Sequence, residues 1–146
     1  MNMQTSQTRS RAGLAAALRV SISRLSRRMR TESDRALSVT QFAALAAVSR
    51  HGALTPGELA EHEKVQPPSM TRVIAALEEQ GLLTRSPHPT DRRQVILSLT
   101  EQGEKLLKEE RRRKEAWLAQ RLAELTPEER AILRQAAPIL ERLSRV

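Results

Sequence analysis

Leu14, Leu18, Ile22, Leu25 and Met29 recur at spacings of four, four, three and four residues, which lays one apolar stripe along a helix of about five turns. The ten residues before it are polar and show no apolar period, so they should form a disordered or loosely held tail. Ser38-Val39-Thr40-Gln41 has the S-x-x-Q form of a capping box and leads into an alanine-rich second helix that Gly52 should end. Thr55-Pro56-Gly57-Glu58 repeats the device with proline at the first helical position, predicting a short third helix to about Glu63. Met70, Val73, Ile74 and Leu77 then fall at i, i+3, i+4 and i+7, and Gly81 stops this fourth helix. Pro67 and Pro68 can sit only at its beginning, because further in they would remove a donor and clash with the preceding turn.

Beyond Gly81 the apolar period becomes two. Leu83 and Arg85 alternate in one short strand and Val95, Leu97 and Leu99 in another, with SPHPTDRRQ, Ser86 to Gln94, as the loop between them. Thr100 begins a long helix to about Leu125, about 39 Å at 1.5 Å per residue. Its middle, KEERRRKE, is polar all round, as expected of a solvated stretch that bridges two packed regions. Thr126-Pro127-Glu128-Glu129 caps a last helix carrying Ile132, Leu133, Ala136, Leu140 and Leu143, in which Pro138 predicts a kink or a break.

Two striped helices at opposite ends of a chain cannot make a full core alone. Packing against the same pair from a second copy is the economical solution, since most oligomers are two-fold dimers. The expected fold is mainly α with a small β-hairpin: a tail over 1–10, an N-terminal dimerisation helix over 11–37, a helix and hairpin module over 38–99, and a connecting helix with a C-terminal dimerisation helix over 100–146. The dimer surface should draw on Leu14, Leu18, Ile22, Leu25, Trp117, Leu122, Ile132, Leu140 and Leu143.

Charge adds a partner to this picture. Lys and Arg number 25 against 17 Asp and Glu, a formal net charge of +8 over 146 residues, and such a field attracts polyanions, nucleic acid first and an anionic membrane surface second. Arg19, Arg24, Arg27, Arg28 and Arg30 on the first helix read as a solvated face rather than a phosphate track. No stretch approaches the roughly 18 consecutive apolar residues of a membrane span, and the N-terminus lacks the apolar core of a secretion signal, so a soluble cytoplasmic protein is expected.

Cys is absent, which excludes disulfides, thiolate catalysis and thiol redox sensing. Phe42 and Trp117 are the only large aromatics, too few for modules that stack single-stranded bases, so a nucleic-acid partner should be duplex. With no G-x-S-x-G and no phosphate loop, neither an enzyme nor a cofactor is expected. Glu58 and His62 stand four apart, a spacing that can hold a metal, but on one helix and without a thiolate it is far more often a hydrated face.

Helix, short helix, turn, helix and hairpin is the order of a winged helix-turn-helix. In that arrangement one helix braces another whose first turns meet base edges in the major groove. Opposite the apolar face of the fourth helix stand Ser69, Thr71 and Arg72, with Gln66 and Pro67 at its start: small polar groups and a forked donor suited to bases and phosphates. Taken alone, Ser69 and Thr71 could merely help the helix begin; the hairpin favours the binding reading.

The segment PPSMTRVIAALEEQGLLTRSPHPTDRRQVILSLTEQGEKLL, from Pro67 to Leu107, resembles the signature region of the MarR family of bacterial transcription regulators, and the likeness extends upstream to Ser38. The run DRRQVILSLTEQG is its most specific piece. The resemblance implies a ligand-responsive homodimer, most often a repressor, on a pseudopalindromic operator, with effectors such as phenolic or other aromatic acids bound where the end helices meet the DNA module. It also implies that Ser69, Met70, Thr71 and Arg72 lie on the major-groove helix, although the apolar period keeps Met70 in the core. Asp91 and Arg93 become the wing's D-x-R pair, with Arg93 in the minor groove.

Physics supports that last role, since a narrow minor groove concentrates negative potential that favours a guanidinium. A carboxylate two residues away can hold the fork ready through a bidentate pair, so Asp91→Asn should weaken binding although it makes the wing more positive. An exposed ion pair worth little is the plainer alternative. Arg85, at the base of the wing, and Arg92 and His88, near its tip, complete the candidate contacts, the last two as phosphate contacts or solvated groups. The competing reading is a basic helical protein that coats DNA without sequence choice or docks on an acidic protein.

Overall fold

The computed structural model describes residues 8–32 and 37–145. Among them the elements are α1 (Arg11–Thr31), α2 (Val39–His51), α3 (Pro56–Glu63), α4 (Pro67–Glu79), β1 (Leu83–Pro87), β2 (Val95–Leu99), α5 (Glu101–Ala123) and α6 (Pro127–Ser144). The architecture is mostly helical with one antiparallel hairpin, as the periodicities predict. The expected tail falls mainly on residues 1–7, outside the described residues. Two compact units divide the chain, residues 34–112 and residues 1–33 with 113–146.

Local chemistry starts the helices where the sequence signals lie. Ser38 and Gln41 exchange hydrogen bonds at the head of α2, the Ser38 hydroxyl accepting from the Gln41 N–H at 3.1 Å and the Gln41 side chain from the Ser38 N–H at 3.1 Å. Thr55 and Glu58 repeat this on α3, and Thr126 and Glu129 on α6. The Thr55 hydrogen bonds hold the Glu58 carboxyl below its ordinary pKa, helped by the charges of His62 and His88. α1 has a cap the sequence does not advertise, Ser10, whose hydroxyl accepts from the Gly13 N–H. α3 ends at Lys64 in the left-handed conformation, φ 52°, and Gly81 turns the chain after α4 with φ 73°.

In the unit of residues 34–112, Leu45, Leu59, Met70, Ile74, Leu77 and Leu97 are fully buried. They come from α2, α3, α4 and β2, so one core fastens the helices to the hairpin, each such side chain stabilising by about 1.5–3 kcal/mol. β1 and β2 pair from Leu83↔Leu99 to Pro87↔Val95. Leu54, between α2 and α3, adds a third backbone partner: its N–H and carbonyl exchange bonds of 3.3 and 2.7 Å with Leu97. The hairpin is thereby tied to the helical part at the middle of β2 while its tip stays outside the core.

Thr100 makes the turn into α5. Its hydroxyl donates to the Gly81 carbonyl at 2.6 Å and accepts from the Gly103 N–H at 3.1 Å, while its own N–H donates to the Leu82 carbonyl at 3.1 Å. Gly103 is buried against this turn, so a β-carbon there would stand 2.4 Å from the Leu82 carbonyl oxygen and 3.3 Å from Leu99 Cδ2.

The other unit contains α1, the second half of α5 and α6. The Arg130 guanidinium donates to the carbonyls of Leu122 and Leu125, satisfying the end of α5. Trp117 has guanidinium groups of Arg28 and Arg121 at 5.8 and 5.9 Å from its ring. α6 continues through Pro138, so the break allowed for there does not occur. No residue of α1 or α6 is buried.

Candidate nucleic-acid interface

α4 opens without a side-chain cap on Gln66. Pro67 and Pro68 bring no N–H, and the Met70 N–H already donates to the Gln66 carbonyl at 3.0 Å. Two of the donors that usually need capping are therefore missing by sequence, and the Gln66 amide is left available outward. Gln66, Pro67, Ser69, Thr71 and Arg72 are all exposed, whereas Met70 points into the core. The conflict over Met70 is thus resolved in favour of packing. Thr71 spends its hydroxyl proton on the Pro67 carbonyl at 3.0 Å, so outward it offers a methyl group and an acceptor. Arg72 supplies a fork of five donors on the same face.

The tip of the hairpin is organised by backbone hydrogen bonds. The His88 N–H donates to the Gln94 carbonyl at 3.3 Å, extending the ladder beyond Pro87↔Val95, and the Gln94 N–H donates to the Asp91 carbonyl at 3.1 Å. Asp91 to Gln94 is therefore a closed turn, with Arg92 and Arg93 at its two central positions and both side chains exposed. The Asp91 carboxylate accepts from the backbone N–H of Arg93 at 3.0 Å, and no Asp91–Arg93 ion pair occurs. The bidentate pair expected from sequence is thus replaced by an Asx-type turn, in which a short acid caps the amide two residues on and leaves the guanidinium outside. Asp91 fixes the backbone from which Arg93 projects and leaves its fork uncommitted.

Arg85 is also differently engaged than expected. Its Nε donates to Glu78 Oε1 at 2.6 Å, joining β1 to the last turns of α4, with the Arg85 side chain 43% and the Glu78 side chain 28% exposed. Glu78 was not foreseen as part of the site. Its only sequence signal is a seven-residue separation across a turn, which no local rule interprets. The pair fixes the wing against the helix that carries Ser69, Thr71 and Arg72. His88 is half-buried, and its Nδ1 accepts from the Thr90 and Asp91 N–H groups at 3.2 and 3.0 Å, with the Thr90 hydroxyl oxygen 3.4 Å away.

Around α3, Glu58 is engaged by its capping box, and His62 stacks on His51 with ring centroids 4.1 Å apart. A shallow recess of about 260 Å³ is lined by Val48, Ser49, Gly52, Ala53, Ser98, Leu99 and Glu104. Its one charged group is a carboxylate, which opposes an aromatic acid. Of the expected dimer residues, Leu14, Ile22, Leu25, Ile132, Leu140 and Leu143 are exposed and Leu18, Trp117 and Leu122 half-buried.

Comparison with known proteins agrees with this geometry. The model of the MarR family matches residues 37–95, the stretch that holds α2 to the wing. An HTH-type transcriptional regulator of Mycobacterium tuberculosis is 48% identical over 130 residues, 88% of this chain and 91% of the relative. The HTH-type transcriptional repressor MdtR of Bacillus subtilis is 36% identical over 104 residues, 71% of this chain and 65% of the relative. Among solved structures, a putative transcriptional regulator from Pseudomonas aeruginosa superposes with a TM-score of 0.80 at 33% identity, covering 91% of this chain and 95% of that one. A MarR family protein from Bacillus stearothermophilus gives 0.78 at 26% identity over 100% and 99% of the two chains. With its winged helix-turn-helix and these relatives, the chain belongs to the MarR family of DNA-binding transcriptional regulators.

Proposed function

We propose that the protein works as a cytoplasmic homodimer that reads a pseudopalindromic operator, represses a nearby promoter, and is released by a small molecule such as an aromatic or phenolic acid. The observation that carries this reading is the pairing of two outward sets on one compact unit: Gln66, Ser69, Thr71 and Arg72 on α4, and Arg92 and Arg93 at the centre of the wing turn. α4 supplies groups of the kinds that discriminate base edges, and the wing supplies a cation for the minor groove. Two such units should enter major grooves about one helical turn, roughly 34 Å, apart.

Dimerisation is supported by the exposed apolar side chains of α1 and α6, among them Ile22 at 50%, Ile132 at 65% and Leu143 at 63%, since apolar rows of this kind mark association surfaces. Repression is supported by relatives named repressors, MdtR and the NicR of Pseudomonas putida. Release requires an effector that prefers a dimer whose recognition helices are mis-spaced, because only differential affinity shifts a conformational equilibrium.

Arg93→Ala tests the wing directly. It should weaken binding to the preferred duplex by on the order of 1–3 kcal/mol while leaving fold and dimer intact; equal affinity of variant and wild type would reject the role. A protein that merely coats DNA would bind preferred and scrambled duplexes alike, and both would be lost together as salt rises.

A further inference from the structure

We infer that His88 is the positioning residue of the wing and that it works only as a neutral imidazole, so that operator reading weakens on acidification. The inference rests on the wing reading above. Its geometric basis is the pair of hydrogen bonds into one ring nitrogen: His88 Nδ1 lies 3.2 Å from the Thr90 N and 3.0 Å from the Asp91 N. Backbone N–H groups can only donate, so Nδ1 must be an acceptor, which places the ring proton on Nε2.

The remainder of the loop depends on that acceptor. Pro89 has no N–H and the His88 N–H is used by Gln94, so the amides of Thr90 and Asp91 have the imidazole as their partner. Asp91, held in this way, caps the Arg93 N–H through its carboxylate at 3.0 Å and closes the turn to Gln94 through its carbonyl at 3.1 Å. A chain of contacts therefore runs from the ring to Asp91 and from Asp91 to the backbone that projects Arg93. Pro87 and Pro89 bracket His88 and narrow the conformations open to the loop.

Protonation converts Nδ1 from an acceptor into a third donor facing the two N–H donors, with the Thr90 hydroxyl, 3.4 Å from Nδ1, as the acceptor at hand. Both hydrogen bonds are then lost and replaced by repulsion. The contribution is present while the ring is neutral and is lost once the ring gains a proton. Glu58 on α3, whose carboxylate feels the charge of His88, and Asp91, whose N–H reaches the ring, are charged residues that neighbour it, and the exposed Arg92 and Arg93 follow in the same loop.

This role makes a prediction opposite to that of a phosphate contact. A histidine that touches phosphate binds DNA more tightly once charged, whereas an acceptor that shapes the wing loses the operator as it is charged. The decisive comparison is operator against scrambled duplex, at constant salt, between pH 8 and 5.5, for wild type, His88→Asn and His88→Ala. Asparagine retains a side-chain acceptor for the amide two residues on and does not titrate.

Wild type should lose about two- to tenfold of its operator preference on acidification, since the two amides share one nitrogen lone pair and together count as about one exposed hydrogen bond. His88→Asn should match wild type at pH 8 and show a flatter profile, and His88→Ala should already be weakened at pH 8. His51 and His62 are present in all three proteins, so the difference between profiles isolates His88. In the DNA-free protein, the Thr90 and Asp91 amide resonances should move together with the His88 ring resonances as pH falls.

Coincident wild-type and His88→Asn profiles, or a preference that grows on acidification, would overturn the inference. Arg93→Ala at pH 8 separates the two claims. If it causes no loss, the wing reading itself falls; if it causes loss while the wild-type and His88→Asn profiles coincide, only the role of His88 falls.

Discussion

Replacing Asp91 distinguishes two ways in which a carboxylate can serve an arginine two residues further on. If it gripped the guanidinium, its charge would be the essential property; because it accepts from the Arg93 backbone N–H at 3.0 Å, the oxygen is. A hydrogen bond to an ionised acceptor is worth about 1.5–3 kcal/mol, but Arg93 is exposed and Asp91 only half-buried, so water competes and about 1 kcal/mol is the reasonable share. Asp91→Ala loses that share and should bind its operator about fivefold more weakly.

Asp91→Asn retains an oxygen in the same place and removes a negative charge close to phosphates, well within the Debye length of about 10 Å at 0.1 M salt. It should preserve the ratio of operator to scrambled affinity and bind both somewhat more tightly at low salt. Fluorescence anisotropy with both duplexes at two salt concentrations measures this. If Asn lost as much preference as Ala, the carboxylate charge would be acting on the guanidinium and the turn-based account would be refuted. The structure thus reverses the sequence-based expectation that Asp91→Asn weakens binding.

Gly103→Ala should destabilise the protein although alanine is the better helix former, because its β-carbon would lie 2.4 Å from the Leu82 carbonyl oxygen. Overpacking of this kind costs about 1–3 kcal/mol, at about 2–4 °C of Tm per kcal/mol for a chain of this size, and an unchanged thermal midpoint would contradict the packing described. Ile132→Asp with Leu143→Asp places charge on two of the most exposed apolar positions of α6, 65% and 63% accessible. In sedimentation the double variant should lose the dimer, and a dimer of wild-type affinity would rule α6 out of the interface.

The helices were legible because their starts are written in consecutive residues. Ser38, Thr55 and Thr126 each stand three before a Glu or Gln, and each forms the reciprocal pair that spacing implies. The wing was legible because the apolar period changes from 3.6 to two after Gly81. Ser10 escaped notice because Gly13, three residues on, cannot return the hydrogen bond, and Lys64 because nothing in a lysine signals the left-handed backbone it adopts.

In the site, the residue types were readable but their partners were not. Arg85 meets Glu78 across a turn, and Leu54 pairs with Leu97 across more than forty residues. Such contacts follow from how the core closes and leave no periodic trace. In sequence, His88 and Asp91 signal charge, because those residue types usually carry charge to a surface. Their use as backbone acceptors depends on the local loop conformation, which two prolines constrain but do not specify.

The central claim is that Gln66, Ser69, Thr71 and Arg72 on α4 and Arg93 on the wing together read one duplex sequence in two copies. Selection of bound molecules from random duplex DNA tests it most directly. A pseudopalindrome whose half-sites are centred about one helical turn apart should be enriched, with Arg93→Ala retaining the major-groove positions and losing preference in the flanking minor groove. Recovery of no common sequence, or of a single unrepeated site bound equally well by Arg93→Ala, would contradict it.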